Sequence, residues 1–425
     1  MIRPGVAARG AIAPPDAPSG SVRLRALLAT AAVGLLLGNL VAEAARGIWN
    51  TGVSGVNDWI PFASAARLLA HGSRCLYCAA QLSVSEATFL GHAIGAGQGT
   101  LPIGAGHYLP FVNPPPAALL LVPLALLPPV LGFALFTGLS LLAMAATYRI
   151  LTGALGCPRL PTLLAVLAVP GSFGLALGQW GAILTLALAV AVWALRRRPI
   201  LCGLCLALLL VKPQYVWLVP VALVVTRRWR VALGLAAGAL LIALASLALV
   251  GPAGLLAWVR LSLATSNGQV GMSSGLPALV TGALGVEAGW ASVLAGAALV
   301  TLGAIRYRDR MRAHPEMAVA AFACLSLLLC LHVLSQDYLL VAPALALAAR
   351  VRPGLATAAA VLISVAFLGD FQVGFVDVWS GGLALALAAL VAVAGLFPPA
   401  SPSPLLVPPP GSADTMRMTP ASSSG

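Results

Sequence analysis

Charged residues are scarce in this sequence of 425 residues: Asp, Glu, Lys and Arg together make up 8% of it. Aromatic residues make up 6%, whereas hydrophobic residues reach 60% and the mean hydropathy is +1.00. A soluble fold has no interior large enough to hide so much apolar surface, which excludes a soluble enzyme or binding domain. Since backbone groups in a bilayer must bond within their own segment, the apolar runs are predicted to be membrane helices.

Nucleotide-binding signatures and metal-ligand clusters are also missing. No Walker, Rossmann or Ser-His-Asp pattern occurs on the predicted cytoplasmic side, so a nucleotide-sugar or ATP site is not expected. The seven cysteines are odd in number and lie mostly within predicted helices, which argues against a disulfide framework. Cys75 and Cys78 form a lone C-x-x-C that permits an oxidised pair, but a zinc site would need a second ligand pair. We therefore expect no metal and no cofactor.

The apolar runs define an all-α polytopic membrane protein with about twelve spans and additional re-entrant or in-plane helices in its outer loops. The spans are predicted near residues 25–45, 130–150, 160–176, 180–195, 199–211, 213–226, 230–250, 287–305, 317–333, 338–349, 353–369 and 378–396.

Most of the 24 Lys and Arg residues fall on one side of this threading, the side that holds both termini. The positive-inside rule makes that side cytoplasmic. The net charge of +13 is then a topology signal that also suits anionic lipid, and no nucleic acid partner is expected. The Ala-, Gly-, Pro- and Arg-rich composition is typical of a GC-rich bacterial genome, which indicates a bacterial plasma membrane.

Domain boundaries follow from composition. Residues 1–22 and 398–425 are rich in Pro, Ala, Ser and Gly and are predicted to be disordered cytoplasmic tails around a membrane domain of residues 23–397. Residues 46–113 form a large outer loop, in which 58–70 has the pattern of a helix lying in the membrane interface. The proline-rich stretch after Asn113 is too short to span and is predicted to be re-entrant or in-plane.

Polar motifs cluster at the outer face. Asp58 opens the interfacial helix, either as an ordinary N-cap or as a general base that takes a proton from a hydroxyl. Lys212 is the only lysine of the chain and lies on the side that disfavours cations, so it is either a snorkelling side chain or a partner for a phosphate. Gln179 lies at a similar turn between two apolar runs.

A second group of polar residues occupies the outer hairpin at 332–338. His332 is suited to donate to a phosphate oxygen or to orient a carboxylate. The ordinary alternative for Asp337 is that it caps the next helix. The Trp258–Gln269 stretch, which contains Arg260, is predicted to be an outer in-plane segment that holds an acceptor or closes over a lipid. The further substrate-binding candidates are Asn113, Gln214, Gln336, Asp337, Tyr338 and Arg260.

These motifs, in this order, resemble the GT-C class of membrane glycosyltransferases and in detail glycosyltransferase family 87, which includes polyprenyl-phosphate-mannose-dependent mannosyltransferases. The matching pieces over about residues 25–350 are Asp58–Arg67, Gly72, Leu76-Tyr77, Pro114-Pro115-Pro116, Gly178-Gln179, Lys212-Pro213-Gln214, Arg228-Trp229-Arg230 and Ser335-Gln336-Asp337-Tyr338. Asn113 stands where family members often have Tyr, and Gln336 where they often have His. These departures bear on the donor sugar and acceptor more than on the reaction class.

The resemblance implies inverting transfer of a sugar, with mannose favoured, from a polyprenyl-phosphate donor to a glycolipid or glycan acceptor at the outer face. Asp58 would be the general base, and Lys212, His332 and Gln179 would bind the donor phosphate. A metal is not demanded, because the leaving group is a single phosphate that placed donors can stabilise. The alternative is a secondary transporter of a small solute or lipid-linked substrate, although no repeat relates the two halves and the polar motifs gather at one interface rather than at the midplane.

Overall fold

The fold is almost entirely helical. The computed structural model describes residues 20–53, 57–95, 100–104, 106–268, 272–373 and 378–398. The helices are α1 Gly20–Val53, α2 Trp59–Ala70, α3 Ala79–Leu90, α4 Pro115–Ala125, α5 Pro129–Arg149, α6 Arg159–Val166, α7 Val169–Leu177, α8 Gly181–Ala194, α9 Pro199–Leu208, α10 Val219–Val225, α11 Trp229–Gly268, α12 Leu276–Leu284, α13 Val286–Arg306, α14 Arg308–Ala313, α15 Pro315–Leu328, α16 Ala342–Ala348, α17 Pro353–Val373 and α18 Val378–Ala394. A two-stranded antiparallel hairpin, β1 Leu101–Ile103 and β2 Gly106–Tyr108, lies between α3 and α4.

The predicted all-α membrane architecture is confirmed. Within the described residues, five helical stretches are long and apolar enough to cross a membrane: 26–52, 129–154, 159–177, 229–268 and 286–306. Shorter apolar helices accompany them at 115–125, 181–194, 199–211, 213–225, 315–328, 353–367 and 380–394. The number of twelve spans stays a prediction.

Several boundaries differ from those predicted. The first helix begins at Gly20 and continues to Val53, well beyond residue 45, while the predicted tails otherwise lie outside the described residues. The predicted helix 317–333 ends at Leu328, and α12 was not predicted. Since α4 has 11 residues, it spans only about 16 Å, half of the roughly 30 Å hydrocarbon core.

The predicted interfacial helix exists as α2, but its apolar side chains contact protein. Trp59, Ile60 and Phe62 are all buried, and the helix packs on α4. Trp59 meets the rings of Phe133 and Phe136 of α5 at centroid distances of 6.3 and 5.4 Å. These three side chains belong to the protein core, whereas Leu68 and Leu69 are half-buried. That the helix lies in the membrane interface stays a prediction.

Proline and glycine place breaks within the long apolar stretches. Gly251 adopts φ 70°, a conformation that favours glycine, and Pro252 follows it, so α11 turns sharply there. The segment after this break carries the predicted Trp258–Gln269 stretch. Other apolar stretches pass into short 3-10 turns at 209–211, 213–215 and 335–341, which contain or flank the polar outer motifs.

Helices α9 and α11 approach closely through glycine. A Cβ at Gly234 would lie 2.5 Å from the carbonyl oxygen of Ile200 and 3.1 Å from the Cα of Gly203. Small residues at such contacts allow dispersion contacts that hold membrane helices together.

We expect Gly234→Ala to destabilise the protein by about 1–3 kcal/mol, because the added methyl group must push the two backbones apart. Thermal unfolding of the detergent-solubilised protein measures the effect. Gly138→Ala on α5 is the matched control, since a Cβ there meets nothing within 4 Å. Equal Tm values for the two variants would contradict this account of the helix contact.

Candidate active site

A cavity of about 420 Å³ gathers most of the predicted site residues. Its wall is built from the start of α2, the turn between α7 and α8, the extended segment 109–113, the turn at 211–214, the second part of α11, α13, and residues 329–336. The predicted residues on this wall are Asp58, Asn113, Gln179, Lys212, Gln214, His332 and Gln336. Residues far apart in sequence thus share one chamber, and Lys212, Gln179, Asn113 and Gln336 are each at least nine-tenths buried.

Asp58 occupies the N-cap position of α2, yet its side chain makes no capping hydrogen bond. Its carboxylate instead accepts a hydrogen bond from the Nε2 of Gln179. Burial raises the pKa of Asp58, and the hydrogen bond from Gln179 and the charge of Lys212 offset only part of that rise. The N-cap interpretation is therefore wrong for the side chain, which faces the cavity as a carboxylate more basic than an exposed one.

Gly178 makes the contact between Gln179 and Asp58 sterically feasible. It ends α7 in the left-handed conformation at φ 74°, and the Gln179 amide then bonds back to the Gly174 carbonyl at 2.9 Å. A Cβ at Gly178 would lie 2.9 Å from Trp59 Cβ and from a ring carbon of Phe133. The short glycine turn therefore lets α2 and the start of α8 come together.

Lys212 forms a buried ion pair with Asp337. Its Nζ lies 2.6 Å from Oδ1 of Asp337, and the hydroxyl of Tyr215 donates to the same oxygen at 2.5 Å. The amide of Leu334 donates to Oδ2 at 3.0 Å. Burial would raise the pKa of Asp337, but the charge of Lys212 and these hydrogen bonds hold it below its ordinary value. Asp337 is therefore ionised and satisfied behind Lys212, not on the cavity wall.

His332 lines the cavity close to this pair. Burial lowers its pKa to about 4, with the nearby Asp337 and Lys212 acting in opposite directions. The imidazole is consequently neutral at physiological pH and presents one donor and one acceptor. Its Nδ1 makes no hydrogen bond within the described part of the chain.

The segment 109–113 is fixed by five hydrogen bonds that the sequence did not reveal. The Leu109 amide donates to Glu86, whose pKa burial raises to about 8. The Val112 carbonyl accepts from Trp258 at 2.9 Å and Ser262 at 3.3 Å.

The other two contacts hold Asn113. Its carbonyl accepts from the hydroxyl of Tyr77 at 2.8 Å, and its Nδ2 donates to the Val211 carbonyl at 3.1 Å. Tyr77 lies between Cys75 and Cys78, which form a disulfide. The oxidised turn of the outer loop is thereby linked, through Asn113, to the residue that precedes Lys212.

Two further candidates lie away from the cavity. Tyr338 is buried and its ring packs edge-on against Phe367 at 4.9 Å. Arg260 is exposed, because it lies two residues from Trp258 and thus projects from a different face of α11. Neither contacts the chamber that the other residues line, so their proposed role in substrate binding has no support from the geometry.

Residues of α11 and α13 complete the wall; those of α11 lie in the predicted Trp258–Gln269 stretch, from which only Arg260 was named as a site candidate. They are Trp258, Ser262, Leu263, Thr265, Ser266, Trp290 and Val293, joined by Trp217 after the 213–215 turn. The signal that could have found the α11 set is their recurrence on one helical face. Among the described residues, no three His, Cys, Asp or Glu side chains form a metal-ligand group.

The model of glycosyltransferase family 87 matches residues 111–343, more than half of the chain. No curated protein and no solved structure matches the chain. The matched region contains Gln179, Lys212 and His332. Asp58 lies upstream of this region and contacts it by accepting the hydrogen bond from Gln179.

We expect Asp337→Asn to cost about 3–5 kcal/mol of stability, because it leaves the buried Lys212 cation without its partner. The double variant Lys212→Met/Asp337→Asn is expected to recover much of this loss. Thermal unfolding of wild type, both single variants and the double variant gives the coupling energy. Additive losses in the double variant would show that the two side chains do not act as a pair.

Proposed function

Because the chain belongs to glycosyltransferase family 87, we propose that it transfers a sugar, with mannose favoured, from a polyprenyl-phosphate donor to a glycolipid or glycan acceptor. The transfer inverts the anomeric centre. That the protein is a membrane glycosyltransferase follows from family membership and from its apolar helices. The donor, the acceptor and the mechanism are our proposal. Family membership also supports transfer over the alternative of a secondary transporter.

The observation that carries the mechanism is the position of Asp58. Its carboxylate lies on the wall of a largely buried cavity, makes no capping hydrogen bond, and has a raised pKa. Asp58 takes the proton of an acceptor hydroxyl as the hydroxyl oxygen bonds to the anomeric carbon. The bond from that carbon to the phosphate oxygen breaks, and polyprenyl phosphate leaves with the electron pair.

The leaving phosphate needs donors, and the same cavity has them: Lys212, His332 and Gln179 all line it. Lys212, His332 and Gln179 remain our candidates for this role. Asp337 and Tyr215 hold the Lys212 ammonium in place, so little reorganisation is needed when charge develops on the phosphate. Asp337 is accordingly a positioning residue.

The apolar part of the wall suits a prenyl chain. Trp217, Trp258 and Trp290 line it with Val293, and both Trp290 and Leu263 are also exposed on the outside of the helices. A lipid tail can therefore leave the chamber sideways between α11 and α13.

The arginine distribution supports an active site at the outer face of a bacterial plasma membrane, with both termini cytoplasmic. Arg196, Arg197 and Arg198 follow α8 at the end opposite to Gln179. Because α8 has 14 residues, this separates the arginines from the cavity by about 21 Å.

We expect Asp58→Asn to lower turnover by about 10²–10⁴-fold, because the amide cannot accept the acceptor proton. The assay uses purified protein in lipid with polyprenyl-phosphate-mannose and a panel of glycolipid acceptors, and donor binding should persist. Asp309→Asn is the matched control, since the Asp309 side chain is 83% exposed. Turnover in Asp58→Asn equal to wild type would remove Asp58 from the mechanism.

The pH dependence gives an independent test of the base. Because burial raises the pKa of Asp58, the acidic limb of kcat/KM should lie above the pH at which an exposed Asp titrates. The pKa of this carboxylate also depends on the charges of Lys212 and Asp337 and on the hydrogen bond from Gln179, which lowers it. Gln179→Leu should therefore move the limb to still higher pH. A limb unmoved by this substitution would contradict the assignment of the limb to Asp58.

A further inference from the structure

The cavity holds little net positive charge for an anionic ligand. Its described lining includes the carboxylate of Asp58, the ammonium of Lys212 and the neutral imidazole of His332. The ionised Asp337 offsets the Lys212 charge at 2.6 Å. A phosphate ester bound here must therefore receive a substantial share of its hydrogen bonds from neutral donors.

A row of hydroxyl groups on α11 faces the same cavity. Ser262, Thr265 and Ser266 all line it, and their spacing of three and four residues places them on one face of the helix. All three are half-buried, whereas Ala264 and Asn267 between and beyond them are exposed. We call Ser262, Thr265 and Ser266 the hydroxyl row.

The hydroxyl row is fixed on the Lys212 side of the cavity. Ser262 and Trp258 both donate to the carbonyl of Val112. The next residue, Asn113, donates to the carbonyl of Val211, which precedes Lys212. The row is thus linked, through Val112 and Asn113, to the backbone next to Lys212.

Two polar atoms near this side lack a protein partner. The hydroxyl of Thr265 and the Nδ1 of His332 are buried and form no hydrogen bond with any described residue. Leaving a buried polar group unsatisfied costs about 1–3 kcal/mol. Because Thr265 and His332 both line the cavity, a ligand with complementary polar atoms would remove this cost.

We infer that Thr265 and Ser266 bind the phosphate of a prenyl phosphate ester through their hydroxyl groups, while Ser262 anchors the row to Val112. The neighbouring Trp258 and Trp290 contact the first isoprene units. The inference rests on the proposed function in so far as the donor is a prenyl phosphate, and it adds the residues that recognise the phosphate.

The test measures binding of farnesyl phosphate to the full chain in nanodiscs through the fluorescence of the cavity tryptophans. We expect Thr265→Val/Ser266→Ala to bind it about tenfold more weakly, which corresponds to about 1.4 kcal/mol. Farnesol, which lacks the phosphate, should bind both proteins alike, and inorganic phosphate should compete only weakly. Asn267→Ala on the exposed side of α11 is the matched control and should bind like wild type.

A hydroxyl-retaining variant protects the test against a folding defect. Thr265→Ser/Ser266→Thr exchanges the two side chains and should keep wild-type affinity, with the same Tm as the hydroxyl-free variant. Unchanged farnesyl phosphate affinity in Thr265→Val/Ser266→Ala, an equal loss for farnesol, or no farnesyl phosphate binding by wild type would each overturn the inference.

The outcome is separable from that of the proposed function. If polyprenyl-phosphate-mannose is not used but the farnesyl phosphate result holds, the hydroxyl row binds prenyl phosphate while the proposed sugar transfer fails. If transfer depends on Asp58 but the hydroxyl-free variant binds farnesyl phosphate normally, the inference alone fails.

Discussion

The buried ion pair between Lys212 and Asp337 is the constraint on which the cavity depends. It joins two places where apolar helices stop, the turn at 209–215 and the 3-10 segment 335–341. A buried charge without a partner is strongly destabilising, so each side chain keeps the other in position. The Tyr215 hydroxyl and the Leu334 amide complete the coordination of the carboxylate. The two breaks therefore face each other, and the space between them becomes part of the chamber.

This pairing also sets the charge that a substrate meets. Because Asp337 balances Lys212, the ammonium does not make the chamber strongly cationic. Burial raises the pKa of Asp58, and the charge of Asp337 acts in the same direction, against the lowering by Lys212. His332 remains neutral for the same reason that Asp58 is basic: burial disfavours the charged form of either group. One buried site thus combines a stronger base with neutral donors.

Irregular backbone at these breaks is consistent with the surrounding membrane environment. Non-helical segments are tolerated among apolar helices where they line a cavity or are covered by protein. Here the outer loop covers them: the Cys75–Cys78 disulfide brackets Tyr77, which holds Asn113, which in turn bonds to the carbonyl before Lys212. The loop between α1 and α4 is thus part of the scaffold of the site and not only a connection.

The sequence alone determined the membrane class and the helical fold, because hydropathy and residue order are properties of the chain itself. It also singled out Asp58, Gln179, Lys212 and His332, which line one cavity in the structure, since polar residues are conspicuous in so apolar a chain. It could not predict that the Asp58 side chain makes no N-cap hydrogen bond, that Asp337 lies behind Lys212, or that Arg260 projects away from the cavity. Nor did it reveal the bond from Tyr77 to Asn113, the role of Tyr215 or the hydroxyl row, because Ser, Thr and Tyr side chains are unremarkable in any single segment. Those features depend on which helix faces meet, and tertiary packing of distant segments, not local pattern, decides that.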